Sequence, residues 1–118
     1  MRQPPAIETF GPGGFRVGGV WRPGSLLILD DVPRPWRPTS LAQATVEDFR
    51  AILDAGPGVS EFVLLGTGAE QALPAREIRD ALRSAGFGLE FMATPRAARE
   101  WGVLASEGRR VAGAFVTV

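Results

Sequence analysis

The chain has 118 residues, of which 45% are apolar and 22% charged, and 13 arginines balance 13 carboxylates to give a formal net charge of zero. This length suits one domain with a core and is too short for two, and the balanced charge provides no overall field that would attract nucleic acid. The chain contains no Lys, His, Cys, Tyr or Asn, which excludes imidazole bases, thiol nucleophiles, Schiff-base amines and zinc–thiolate sites. We therefore expect a single domain over residues 1–118 with no catalytic residues, no metal site and no cofactor.

Membrane insertion is not expected from the pattern of apolar residues. The longest apolar runs are far shorter than the roughly 18 residues that span a bilayer. The first five residues, MRQPP, lack the apolar core of a signal peptide. The sequence therefore predicts a cytoplasmic protein.

The first third of the chain alternates short apolar segments with glycine-rich turns, which is typical of antiparallel strands. Strands are predicted at residues 7–10, 15–17 and 20–22. The nearly continuous apolar run at residues 25–29 predicts a strand that is covered on both faces. Residues 30–43 contain three prolines and predict a long surface loop without regular structure.

The rest of the chain alternates between helical and strand patterns. Three helices are predicted: one with Thr45 as N-cap and Asp48 in its first turn, one that begins at Pro74 and ends at Gly86, and one with Thr94 as N-cap and Pro95 as its first residue. Strands are predicted at residues 61–65, 89–92 and 111–118. This order predicts an α/β fold: a single three-layer domain with a mixed central sheet, an amino-terminal antiparallel hairpin and three helices.

Three segments resemble one known family in order and spacing: residues 14–19 (GFRVGG), residues 63–68 (VLLGTG), and residues 94–95 (TP) followed by residues 103–111 (VLASEGRRV). Together they are similar to the small domain-of-unknown-function family that includes mitochondrial complex I assembly factor 3 and the adipogenesis-associated domain-containing protein. The resemblance implies a three-layer α/β domain with a mixed sheet and no established enzymatic activity. The chain departs from the family pattern at Ala93 and Gly102, where relatives commonly have Asp and Asn, and so lacks two polar groups that could contribute to a pocket.

A first candidate site is the turn that ends the strand at residues 61–65. Gly66, Thr67 and Gly68 follow a short apolar run, and their amides and hydroxyl are suited to cradle an anion or a polar ligand. Thr94 ends the neighbouring predicted strand and would face the same cleft. The alternative is a tight strand exit that requires glycine, with the Thr94 hydroxyl capping a helix.

A second candidate site lies on the proline-bearing loop, where Arg34 and Arg37 flank Trp36. Trp and Arg are enriched at interface hot spots, so these residues are candidates for contact with a partner protein. The alternative is a loop that one buried indole attaches to the domain. Asp30 and Asp31 are poorly placed to share a metal ion, because adjacent residues on an extended chain point to opposite faces.

Two functions remain from the sequence, in different classes. The first is a non-catalytic α/β module for protein interaction or assembly, as the family resemblance implies. The second is a small-molecule binding domain whose anionic ligand lies at residues 66–68. An enzyme would be restricted to carboxylate, hydroxyl, arginine or metal-assisted chemistry and is the third alternative.

Overall fold

A computed structural model describes residues 3–118, which form two β-sheets and three α-helices. The strands are β1 (Ile7–Gly11), β2 (Gly14–Val17), β3 (Val20–Pro23), β4 (Ser25–Leu29), β5 (Val32–Trp36), β6 (Phe62–Gly66), β7 (Gly88–Met92) and β8 (Val111–Phe115). The helices are α1 (Arg50–Ala55), α2 (Arg76–Ser84) and α3 (Thr94–Ser106), and short 3-10 turns cover Leu41–Gln43 and Val46–Phe49.

The larger sheet has five strands in the order β5-β4-β8-β6-β7. β6 pairs in parallel with both β7 and β8, whereas β4 pairs antiparallel with β5 and β8. All residues of β4, β6 and β8 are buried, because layers cover both faces of the sheet. The mixed central sheet that the sequence predicts is confirmed.

Two apolar cores lie on opposite faces of this sheet. On one face, Ile52 of α1 packs with Ile78 and Leu82 of α2. On the other face, α3 and the three-stranded sheet β1-β2-β3 form a second core around Phe15 and Trp101. The three-layer α/β fold is therefore confirmed, and its amino-terminal antiparallel part has three strands.

The prediction of an irregular loop over residues 30–43 was wrong. Asp30 and Asp31 have positive φ angles of 51° and 64°, which is the signature of a two-residue type I′ hairpin turn. Aspartate tolerates this conformation better than most residues, and the turn leads directly from β4 into β5. β5 contains Pro33 and Pro35, which is compatible with a strand only because β5 lies at the edge of the sheet.

Helix starts were predicted with mixed success. Thr45 is an N-cap as predicted, and the Asp48 carboxylate accepts a hydrogen bond from its backbone N–H at 2.9 Å, but it caps the 3-10 turn at Val46–Phe49 and α1 begins only at Arg50. Pro74 precedes α2, which begins at Arg76. Thr94 is the first residue of α3 and not its N-cap, because its hydroxyl is used elsewhere in the fold. The final strand ends at Phe115, three residues before the predicted end.

Candidate functional site

The first candidate site lies where β6 and β8 end side by side. From β6 the chain passes through α2 to β7 on one side, and α3 then returns it to β8 on the other side of β6. In α/β sheets this reversal of strand order opens a crevice at the carboxyl ends of the strands, where ligands usually bind. The structure brings Gly66, Thr67, Gly68 and Thr94 together here, since the Thr94 backbone N–H donates to the Gly68 carbonyl at 2.8 Å.

The Thr94 hydroxyl occupies this crevice and has two partners within the protein. Thr94 is completely buried. Its hydroxyl donates to the Val116 carbonyl at 2.7 Å and accepts a hydrogen bond from the Gly68 backbone N–H at 2.9 Å. One side chain thus connects the end of β6, the start of α3 and the segment after β8.

The Thr67 groups are also satisfied internally. The Thr67 backbone N–H donates to the Met92 carbonyl at 2.8 Å. The Thr67 hydroxyl donates to the Glu70 carbonyl at 2.6 Å and accepts from the Ala72 N–H at 3.2 Å. The donors that an anion would require already have acceptors, so an anion would have to displace these bonds.

Glycine is required at both Gly66 and Gly68, for a steric reason at the first position and a conformational reason at the second. A Cβ atom at Gly66 would lie only 2.8 Å from the Thr94 hydroxyl oxygen, so the amino-terminal end of α3 approaches the strand closely only because this residue lacks a side chain. Gly68 has a φ of 108°, which strains any other residue. Gly66 therefore serves the packing of α3 against the sheet, and Gly68 serves the conformation of the turn.

The second candidate site is not a shared exposed patch. Trp36 is 6% exposed; its indole N–H donates to the Asp48 carbonyl at 2.8 Å, and its ring meets Phe49 edge-on at 5.4 Å between centroids. Arg34 is exposed on β5. The indole therefore attaches β5 to the turn at Val46–Phe49, and only the two arginines of this group face solvent.

Arg37 forms the main electrostatic contact of this region. Its guanidinium donates to both Asp48 carboxylate oxygens, at 2.8 and 2.7 Å, and to the Gln43 carbonyl at 2.6 Å. The hydrogen bond from Arg37 lowers the pKa of Asp48, and the same bond raises the pKa of Arg37. Arg37 thus has a structural role in holding the 3-10 turns against β5.

One feature that the sequence reasoning missed is the open edge of the sheet at β7. Grooves of about 370 Å³ lie along both faces of this strand. Leu89 and Phe91 line both grooves, and both side chains pack partly against the core beneath α1 and α2. Local patterns predict the strand itself, but its edge position follows from the order of strands in the sheet, which no local pattern encodes.

The described residues, 3–118, include no group of three or more acidic side chains placed to hold a metal ion. Over the same residues, no helix is both long enough and apolar enough to cross a bilayer.

The chain matches a family model described as protein of unknown function (DUF498/DUF598) over residues 7–116. An uncharacterised protein of Rhodobacter capsulatus is 37% identical over 110 residues, which cover 93% of this chain and 82% of that protein. The NADH dehydrogenase (ubiquinone) 1 alpha subcomplex assembly factor 3 of Danio rerio is 28% identical over 93% of this chain, and the match spans 63% of that protein.

Solved structures show the same fold. The crystal structure of an outer membrane protein from Bartonella henselae superposes with a TM-score of 0.89 at 30% identity, covering 98% of this chain and 96% of that chain. The NMR structure of a Rhodopseudomonas palustris protein superposes with a TM-score of 0.82 at 34% identity, covering 96% of this chain and 83% of that chain.

Proposed function

Because the chain belongs to the family described as protein of unknown function (DUF498/DUF598), we propose that it acts without catalysis, as an assembly-type module that binds another protein. The observation that carries the proposal is the match to complex I assembly factor 3 along 93% of this chain. The match covers 63% of that relative, so what the whole relative does is brought to this chain only within the proposal.

The arrangement at the ends of β6 and β8 supports this proposal over a ligand site. The Gly68 amide and the Thr94 hydroxyl are hydrogen-bonded to each other, and Thr67 is bonded to β7 and to its own loop. The anion-binding alternative would require these buried bonds to open. It predicts that millimolar phosphate or citrate raises the melting temperature, since a ligand at about 100 times its Kd adds about 2.7 kcal/mol to the stability of the folded state. Our proposal predicts no such rise.

The direct test is purification of the tagged protein from the organism that encodes it, followed by quantitative mass spectrometry. We expect one defined partner protein, recovered in near-stoichiometric amount and migrating with the tagged protein on a sizing column. A Leu73→Ala variant serves as a control and should recover the same partner, because Leu73 is 62% exposed and its truncation should leave the core unchanged. If the tagged protein migrates alone and recovers only background proteins, the proposal is wrong.

A cytoplasmic location and the absence of nucleic acid from its partners stay predictions. One fold relative is described as an outer membrane protein of Bartonella henselae, so fractionation of the native cells is an informative companion measurement. We expect the protein in the cytoplasmic fraction. Recovery in the membrane fraction after a high-salt wash would contradict this expectation.

A further inference from the structure

The free edge of β7 exposes backbone groups that have no partner strand. Within residues 3–118, β7 pairs only with β6. The Gly88 N–H donates to the Glu61 carbonyl at 3.3 Å, and the Met92 carbonyl accepts from the Thr67 N–H at 2.8 Å. Because successive residues of a strand turn their backbone groups to alternate sides, the N–H and C=O groups of Leu89 and Phe91 point away from the sheet.

The groove on the α2 side of this edge combines an apolar floor with positive charge. Leu89 and Phe91 supply apolar surface, and Arg79 and Arg83 of α2 line the same groove. No carboxylate lines it. Among the residues described, the Arg83 guanidinium has no ion-pair partner, whereas Arg79 donates its Nε–H to the Pro74 carbonyl at 3.1 Å.

The groove on the opposite face of β7 has a different charge. Glu90, Arg96 and Glu100 line it together with Gln71, so both signs are present. A strand added to β7 would direct alternate side chains into these two grooves. The α2 side selects acidic side chains, and the α3 side tolerates neutral polar ones.

A second copy of this chain is poorly suited to occupy the edge. Two β7 strands that pair around a two-fold axis would continue the sheet and bring the two α2 helices to the same face. Arg79 and Arg83 would then face the same arginines of the other copy, and like charges repel. The charge of the groove therefore favours a different partner.

We propose that β7 is a docking edge that takes up one extended acidic segment of a partner protein as an added strand. Backbone hydrogen bonds to Leu89 and Phe91 hold the segment, and carboxylates at every second position meet Arg79 and Arg83. This inference rests on the proposed assembly function and adds to it the place and the chemistry of the contact.

Selection from a phage-displayed library of random dodecapeptides tests the chemistry. We expect enriched peptides to alternate Asp or Glu with β-branched residues, which favour strands. An Arg79→Gln, Arg83→Gln double variant should bind these peptides about threefold to tenfold more weakly, and Leu89→Pro at least about tenfold more weakly because it removes an outward N–H. Arg99→Gln, at an exposed position of α3, removes one arginine charge away from the groove and should bind normally.

Hydrogen exchange measured by NMR tests the geometry without any substitution. In the free protein the Leu89 and Phe91 amides should exchange faster than those of Gly88 and Glu90, and a selected peptide should protect them. The inference is overturned by a lack of enrichment, by enriched peptides without acidic residues, by binding that both variants retain, or by protection elsewhere. A sizing experiment that shows dimers dependent on Leu89 would also overturn it, in favour of a second copy.

The two levels of proposal fail in different ways. If the native partner co-purifies equally with wild type and Leu89→Pro, the assembly function stands and the β7 edge is the wrong surface. If no partner co-purifies with either, the function itself is wrong, whatever peptides the edge selects.

Discussion

The five-stranded sheet has two edges, and they differ in what their backbones can offer. At β5, the two-residue turn at Asp30 and Asp31 makes Leu29 and Val32 the closing hydrogen-bonded pair of the hairpin. Every second residue from Val32 then faces β4, and the residues that face outward are Pro33 and Pro35. Neither has an N–H, so this edge presents no donor at those positions. At β7 the outward residues are Leu89 and Phe91, and each of them has a backbone N–H group.

The surroundings of the two edges differ less than their backbones, because a groove of about 260 Å³ that is lined by Arg22 and Arg34 and by no carboxylate also lies beside β5. Beside β5, Arg37 is paired with Asp48 and the Trp36 indole is buried. Beside β7, Arg83 lines an open groove in which no carboxylate lies. Natural sheets protect edges that must not pair with other chains. The backbone comparison indicates that β5 is closed to a further strand and that β7 is open to one.

The largest expected effect concerns the closed edge. Trp36→Ala should lower the free energy of unfolding by about 3–5 kcal/mol, the usual range for truncating a buried aromatic residue, because Trp36 also supplies the hydrogen bond to the Asp48 carbonyl. Trp21→Ala is the matched control, since Trp21 is 43% exposed. A loss for Trp36→Ala as small as the one expected for Trp21→Ala, measured by urea denaturation, would show that Trp36 does not stabilise the β5 edge.

Trp36 also illustrates what the sequence can and cannot predict. Periodicity and glycine punctuation predict most strands and helices, since the strands of the core are short apolar runs bounded by turns. Pro33 and Pro35 prevent the prediction of β5 from the sequence, because proline argues against a strand unless the strand is known to lie at the edge of a sheet. The strand order and the burial of Trp36 depend on contacts between distant segments. Local patterns therefore cannot decide whether Trp36 contacts a partner protein or is a buried indole that attaches the loop to the domain.

The sequence predicted the proximity of the Gly-Thr-Gly turn and Thr94 but not the pairing of their polar groups. Parallel strands place their carboxyl ends at one edge of the sheet, which brings residues 66–68 and Thr94 close together. The hydroxyl direction of Thr94 depends on the position of Val116, a segment far along the chain. That bond favours a structural connection over a ligand site, and no spacing in the sequence contains it.

The centre of the sheet provides the second prediction, because a ligand site there would compete with either edge as the functional surface. Thr94→Val keeps the shape of the side chain but leaves the Gly68 N–H and the Val116 carbonyl without their buried partner. We expect a loss of about 2–4 kcal/mol, since each buried unsatisfied group costs about 1–3 kcal/mol. Thr94→Ser should recover most of it in thermal denaturation. A stable Thr94→Val protein would mean that water or a ligand normally serves these groups.

Adding outward N–H groups to β5 and removing one from β7 tests whether these groups determine which edge is open. A Pro33→Val, Pro35→Val double variant gives β5 two outward N–H groups, and Leu89→Pro removes one from β7. We expect the β5 double variant to change the unfolding free energy by about 1 kcal/mol or less, because both positions lie on an edge strand. Leu89→Pro should cost more, because the Leu89 side chain packs partly against the core. The β5 variant should self-associate with rising concentration in analytical ultracentrifugation. If it stays as monodisperse as wild type, the prolines are not what closes this edge.

The smallest expected effect is a pH dependence confined to the closed edge. Arg37 lowers the pKa of Asp48 in the folded protein, whereas an unfolded aspartate titrates near pH 3.9. The folded state therefore binds a proton at Asp48 less readily, so the stabilisation is present above about pH 4 and is lost as the pH falls through the lower folded pKa. The effect is small because Arg37 is exposed and exposed ion pairs contribute little.

The difference in unfolding free energy between wild type and Asp48→Asn should thus shrink between pH 5 and roughly pH 2.5. A difference that stays constant over this range would show that the Asp48 charge does not help to hold β5, and the protection of that edge would then depend on the prolines and Trp36 alone.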